Sequence, residues 1–387
     1  MKRTKKVVAL VAAVGMMVAS LAGCGNSGSN SGNTTFKIGG IGPLTGGAAV
    51  YGNAVMNGAQ IAVDEINAAG GINGFQIEFK AEDDEHDAEK AVNAYNNLLD
   101  WKMQILMGNV TSKPCEAVVS KACADNIFQL TPSATSTEAI SGDNAFRVCF
   151  SDPNQGTASA QYIGSTGLAK KVAIIYNSSD TYSTGIMQKF SAEAPAQGFE
   201  VVACEAFTDD SASDFTTQLQ AAADASADLI FIPIYCEVAS LILTQADQKE
   251  MNIPFFGVDG LDGILSLDGF NTELAEGVML LTPFSANATD DATVAFVNKY
   301  QEKYGQVPNQ FAADAYDAIY IIKAAIEKAN VKPDSSNADL CAALKSAMTQ
   351  ISFSGITGKD ITWSADGEPS KAPIVVEIKN GQYEILK

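Results

Sequence analysis

The stretch Lys37–Gly52, KIGGIGPLTGGAAVYG, has the glycine density of a loop that could cradle phosphates. A dinucleotide loop needs G-x-G-x-x-G opening a helix, with an acid about 20 residues further on for the ribose. Gly40 and Gly42 supply G-x-G, but Thr45 stands at the third position and Pro43 removes an N–H. The nearby acids Asp64 and Glu65 fall inside a helical pattern, Asn53–Ala68, and no G-x-x-x-x-G-K-[ST] occurs anywhere. The glycines read instead as a sharp turn at the C-terminal end of a first strand. That is the end at which open α/β sheets place their ligands.

Other residues offer milder chemistry. Ser112 precedes Lys113-Pro114 at the start of the helical pattern Cys115–Asp125. A Ser cap and a first-turn Pro mark a helix N-terminus, whose free N–H groups suit a carboxylate. Thr135-x-x-Glu138 reads as a capping box, a second anion-friendly turn. Asp259 follows a strand in the turn GVDG, where a charge-assisted bond to a cation is accessible. Plain capping and turn formation account for the same three residues. His86, the only histidine, sits in EDDEHDAE and reads as a solvated loop and helix start. Cys115, Cys123, Cys149, Cys204, Cys236 and Cys341 have no C-x-x-C spacing and no histidine neighbour, so no zinc or other metal site is expected. Buried free thiols are favoured over a disulfide framework, with pairing left open. One histidine, no G-x-S-x-G and no phosphate loop leave no catalytic constellation; neither an enzyme nor a cofactor is expected.

The N-terminus gives the address. Lys2, Arg3, Lys5 and Lys6 precede the apolar run Val7–Ala22, 16 residues long. A membrane-spanning helix needs about 20, and the small-residue ending is that of a secretory leader. Leu21-Ala22-Gly23-Cys24 resembles the lipobox of bacterial lipoproteins, in which the cysteine, here Cys24, takes diacylglycerol and becomes the new N-terminus. Gly25–Thr35, GNSGSNSGNTT, carries no charge and no apolar side chain. Such a tether behaves as a coil reaching roughly 18 Å. Losing the four leader bases takes the net charge from −20 to −24. That acidity argues against nucleic acid and anionic surfaces as partners.

These groups need elements to position them. From Phe36 onward, short apolar runs alternate with helical patterns, which implies parallel sheets with right-handed crossovers. Two such blocks are expected, roughly Phe36–Ser151 and Asp152–Leu281. Two or three helices follow, then ITW and a hairpin around Asn380-Gly381. About 350 residues suit two domains.

GPLTGGAAVYG followed by DEINAAGGINGFQIEF, then AEDDEHDAEKA, MGNVTS and TPSAT, makes a specific series. It resembles the solute-binding proteins of branched-chain amino acid ABC transporters, across essentially all of Phe36–Lys387. The resemblance implies an α/β fold, the type I periplasmic-binding-protein fold: two Rossmann-like lobes with parallel sheets, joined by three hinge crossovers. It implies a leader at 1–23, a lipidated cysteine and tether at 24–35, lobe 1 from 36–152 plus 283–358, and lobe 2 from 153–282 plus 359–387. An amino acid, with Leu, Ile or Val first in line, would sit between them. Ser112, Ser133 and Thr135 match the positions that hold the ligand's carboxylate and amine. Tyr182 and Tyr235 match tyrosines that close from lobe 2, Asp259 the acid that pairs with the α-ammonium, and Tyr51 and Phe311 apolar walls, with Val110 a smaller one.

The same resemblance implies an extracytoplasmic, lipid-anchored monomer that delivers its ligand to a membrane permease. Two departures stand out. Some relatives carry a disulfide at the positions occupied here by His86 and Thr111, so that bridge is absent. The ammonium-pairing acid is often Glu and is Asp259 here, which bears on ligand identity more than on ligand class. Binders of another amino acid, a small amide or an aromatic acid share the fold, as do surface sensors.

Overall fold

The structure, a computed structural model, describes residues 34–386. The expected leader, Cys24 and all but the end of the tether lie outside the described residues. Apolar β-branched runs form the first sheet, from β1 (Thr35–Gly42), β2 (Gln76–Asp83), β3 (Ile105–Gly108), β4 (Phe128–Thr131) and β5 (Ala145–Arg147). Its strands are parallel in the order β2-β1-β3-β4-β5. Every residue of β3 and β4 is buried, as expected of a parallel sheet covered on both faces. Between these strands run α1 (Ala49–Ala68), α2 (Ala88–Asp100) and α3 (Ser112–Ala124).

The second sheet follows α4 (Asp152–Thr166). It contains β6 (Lys171–Asn177), β7 (Glu200–Phe207), β8 (Leu229–Ile232), β9 (Phe255–Gly257) and β10 (Met279–Thr282), interleaved with α5 (Thr181–Glu193), α6 (Thr216–Asp224) and α7 (Cys236–Gln248). The chain then returns to the first half as α8 (Asp291–Tyr304), α9 (Gln310–Ala329) and α10 (Asn337–Met348). It finishes on the second sheet with the antiparallel hairpin β11 (Ile374–Lys379) and β12 (Gln382–Ile385), giving the order β12-β11-β10-β9-β8-β6-β7. The chain therefore crosses between the halves three times: after β5, after β10 and before β11.

α9 packs along α1 and reaches β3 and β4. The approach is so close at Gly58 that an added Cβ would stand 2.0 Å from Ala312 O. At Gly52 it would stand 1.8 Å from Pro43 O, so the GPLTG loop folds back onto the first turns of α1. No described helix is long and apolar enough to cross a membrane.

Four expectations need correcting. α1 starts at Ala49 rather than Asn53, so Tyr51 is helical. α4 is a full helix where the apolar pattern predicts none, because its segment, DPNQGTASAQYIGST, is mostly small and polar. ITW forms no strand, only isolated pairings of Ile361 with Phe353 and of Trp363 with Pro369. Residues 359–371, expected with lobe 2, pack on the first half. Trp363 Nε1 donates to Arg147 O at 2.8 Å, Arg147 N donates to Gly367 O at 3.2 Å, and Lys371 pairs with Asp314 on α9. The six cysteines of the described residues are free.

Candidate functional site

The strands of each half present their C-terminal ends and following loops to the other half. On the first half, the TPSAT turn after β4 is fixed from several sides. Thr131 Oγ1 donates to Asn109 O at 2.7 Å and accepts from Ala134 N at 2.9 Å. Ser133 Oγ donates to Val110 O at 2.7 Å. Arg147, fully buried, donates to Ala134 O and Ser136 O at 3.1 and 2.8 Å and pairs with Glu368 at 3.3 Å.

Two expected roles shift in this network. Ser112 is the first residue of α3, with Thr111 in the cap position. Its Oγ accepts from Thr135 N and Ser136 N, each at 3.2 Å, so it braces the turn from behind. The capping box expected at Thr135 does not form: the cap residue is Ser136, whose Oγ accepts from Glu138 N at 3.2 Å. Thr135 Oγ1 is buried without a well-formed hydrogen bond, and the buried carboxyl of Asp152 stands beside it.

On the second half, Asp180 caps α5 and sets the start of the helix that carries Tyr182. Tyr182 Oη donates to Asp259 Oδ1 at 2.6 Å and accepts from Gly260 N at 2.9 Å. Asp259 N donates to Gln155 Oε1 on α4 at 3.0 Å, and Asp259 O accepts from Gln310 Nε2 at 2.8 Å. Burial pushes the Asp259 carboxyl up to about 7, against the opposing pull of its bonds from Tyr182, Gln155 and Gly260.

Aromatic rings close the space. Tyr182 stacks on Tyr235 with centroids 4.8 Å apart and planes 12° apart. Tyr51 lies 5.2 Å from Tyr235 and meets Phe311 edge-on at 4.7 Å. Tyr51 Oη also donates to Gly260 O at 2.5 Å and accepts from Cys236 N at 2.8 Å, linking α1 to the second half.

Seven of the eight expected ligand residues, Tyr51, Ser133, Thr135, Tyr182, Tyr235, Asp259 and Phe311, converge on one tightly closed cavity of about 10 Å³. Val110, Thr111 and Gly260 complete its wall; Ser112 is absent from it. His86 is a further correction. It is half-buried rather than solvated, with Nδ1 2.9 Å from Thr111 Oγ1 and its ring edge-on to Tyr235 at 5.5 Å. The pair that replaces the disulfide positions of some relatives is thus joined by a hydrogen bond. Thr111, Gln155 and Arg147 were also missed. An extended residue just before a helix is a signal that could have found Thr111, and recognition of α4 would have found Gln155.

The cavity is walled by aromatic rings and carries one carboxylate on the second half and the hydroxyls of Ser133 and Thr135 on the first. The lining chemistry suits a small molecule with a cationic and an anionic end, admitted when the two halves part. An enclosed site between two α/β halves that the chain joins three times defines a two-lobed binding protein. A family model described as periplasmic binding protein matches residues 35–382, and the chain belongs to that family. It is 30% identical over 302 residues to the Leu/Ile/Val-binding protein BraC3 of Rhizobium johnstonii, covering 77% of this chain and 80% of that one. It is 27% identical to the leucine-, isoleucine-, valine-, threonine- and alanine-binding protein of Pseudomonas aeruginosa, covering 76% and 79%. Among solved structures it is similar to the branched-chain amino acid transporter substrate-binding protein LivJ of Streptococcus pneumoniae in complex with isoleucine. The TM-score is 0.81 and the identity 30%, covering 91% of this chain and 99% of that one. These relatives are binding proteins, not enzymes.

Proposed function

We propose that this protein captures an amino acid, with leucine, isoleucine or valine as ligand, between its two lobes outside the cytoplasm and delivers it to the permease of an ABC transporter. The observation that carries this reading is the placement of Asp259, a buried carboxyl poised near pH 7, across an aromatic-walled cavity from the buried hydroxyls of Ser133 and Thr135. A zwitterion needs both ends met, and the rings of Tyr51, Tyr235 and Phe311 suit an aliphatic side chain. The names of the relatives point to the same ligand class.

In the proposed cycle the ligand's carboxylate docks first on lobe 1 at Ser133 and Thr135, with Ser112 bracing that turn. Lobe 2 then closes, bringing Tyr182, Tyr235 and Asp259 onto the ammonium and side chain. Closure is favoured only by contacts the ligand makes in the closed form. Diacylglycerol on Cys24 would hold the monomer beside its permease, the two acyl chains being what makes the anchor stable.

Thermal unfolding of the protein, stripped of ligand by unfolding and refolding, tests this against the twenty amino acids, urea and benzoate. A ligand at about 100 times its Kd stabilises by about 2.7 kcal/mol, a shift of a few degrees. Shifts with leucine, isoleucine and valine are expected. A shift with urea or benzoate alone would remove the role given to Asp259.

A further inference from the structure

His86 stands in the β2–α2 loop of the first half, yet its ring touches Tyr235, which stands at the start of α7 on the second half. Its other contact, Nδ1 to Thr111 Oγ1 at 2.9 Å, stays within the first half. Thr111 and Tyr235 both line the cavity, whereas His86 lies behind them. The imidazole therefore spans the cleft immediately outside the ligand space and touches one wall residue from each side.

The loop that carries His86 is built by the first half alone. Glu85 and His86 have φ of 48° and 60°, the left-handed region that costs a non-glycine residue about 1 kcal/mol or more. Side-chain bonds hold them there. Asp83 Oδ1 accepts from Leu44 N at 2.8 Å and Glu85 N at 2.9 Å, and Asp84 Oδ1 accepts from His86 N at 3.0 Å. Asn109 Nδ2 donates to Asp84 Oδ2 at 3.1 Å and ties the loop to the end of β3. None of these partners belongs to the second half, so the ring is already in place when Tyr235 arrives.

From this we infer that His86 is a positioning residue for closure: it docks the edge-on ring of Tyr235 against lobe 1 and fixes the rotamer of Thr111, so that both walls of the ligand cavity are set together. Tyr235 in turn stacks on Tyr182, which holds Asp259, so the ring of His86 is the lobe 1 end of a chain that reaches the carboxylate. The inference rests on the proposed amino-acid-binding reading and adds a residue to it.

Small-angle scattering of the full chain during isoleucine titration, with ligand-free melting in parallel, tests it on wild type, His86→Ala and His86→Phe. Phe keeps a ring for Tyr235 and loses the bond to Thr111. Loss of one aromatic pair and one hydrogen bond should raise the midpoint of compaction about tenfold in His86→Ala. His86→Phe should fall between it and wild type, and the ligand-free melting temperatures should agree. A midpoint within twofold of wild type in His86→Ala overturns the inference. So does equal loss in both variants accompanied by a common drop in ligand-free melting, which marks a purely structural role. If wild type fails to compact with isoleucine, the amino-acid reading fails. The ligand-free radius of gyration then decides for His86: a larger value in His86→Ala supports the inference and an unchanged one overturns it.

Discussion

Tyr182 and Asp259 share a 2.6 Å hydrogen bond in which the phenol donates, and both belong to the second half of the molecule. The same phenol oxygen takes the N–H of Gly260 at 2.9 Å, so it is anchored on the turn that carries the acid. The carboxylate is therefore oriented before the halves meet.

Removing that donor is the direct test. Tyr182→Phe leaves the ring stack on Tyr235 and deprives Asp259 of one bond to its charged form. Such bonds are worth about 1.5–3 kcal/mol, so calorimetry should show the Kd for the amino acid rising roughly 10- to 100-fold. An unchanged Kd would dissociate Asp259 from ligand binding.

Proton linkage gives a second test. The Asp259 pKa is raised to about 7 in the folded chain, from an unfolded value near 3.9. The neutral acid thus contributes stability that is full below about pH 4 and is lost as pH rises through about 7. In urea melts of the ligand-free protein, wild type should lose stability relative to Asp259→Asn across that window. Binding runs the other way, because an ammonium needs the ionised acid. Affinity should fall as pH drops below about 7, and Asp259→Asn should bind weakly with a flat profile.

Thr135→Val separates binding from folding. The hydroxyl is buried without a well-formed hydrogen bond, so its removal should change ligand-free stability by no more than about 1 kcal/mol. Affinity should fall about tenfold. A variant that melts lower and binds normally would assign the hydroxyl to the fold.

The buried pair Lys371–Asp314 supports the segment that carries the chain back to the second sheet. Lys371 Nζ also donates to Thr357 Oγ1 at 2.9 Å. Lys371→Met should cost about 3–5 kcal/mol in urea unfolding, because it strands the carboxylate in the interior. Lys371→Met with Asp314→Leu should recover most of that loss.

The alternation of strands and helices was legible because apolar runs such as ILMG and LIFI are buried throughout. The helix Asp152–Thr166 was not, since Ala160 and Ile163 are its only fully buried apolar side chains among glycine, serine and threonine. Gln155, which orients Asp259, was lost with it. His86 read as solvated because acids surround it in sequence. Its ring is turned inward by left-handed backbone at Glu85 and His86, which composition does not encode. Ser112 and Thr135 were recognised as polar groups near helix starts. Which of them lines the cavity is set by the folded turn, whose cap is Ser136.

The hydroxyl of Tyr51 joins the lobes through two backbone groups, Gly260 O and Cys236 N, and asks nothing of a ligand. A link of that kind raises the share of molecules already shut before any solute arrives. Apparent affinity equals the intrinsic affinity of the shut form multiplied by that share. Occupancy at a given solute concentration is then set partly by a residue whose polar end is spent on the other lobe's backbone, and the gain in capture is matched by slower release.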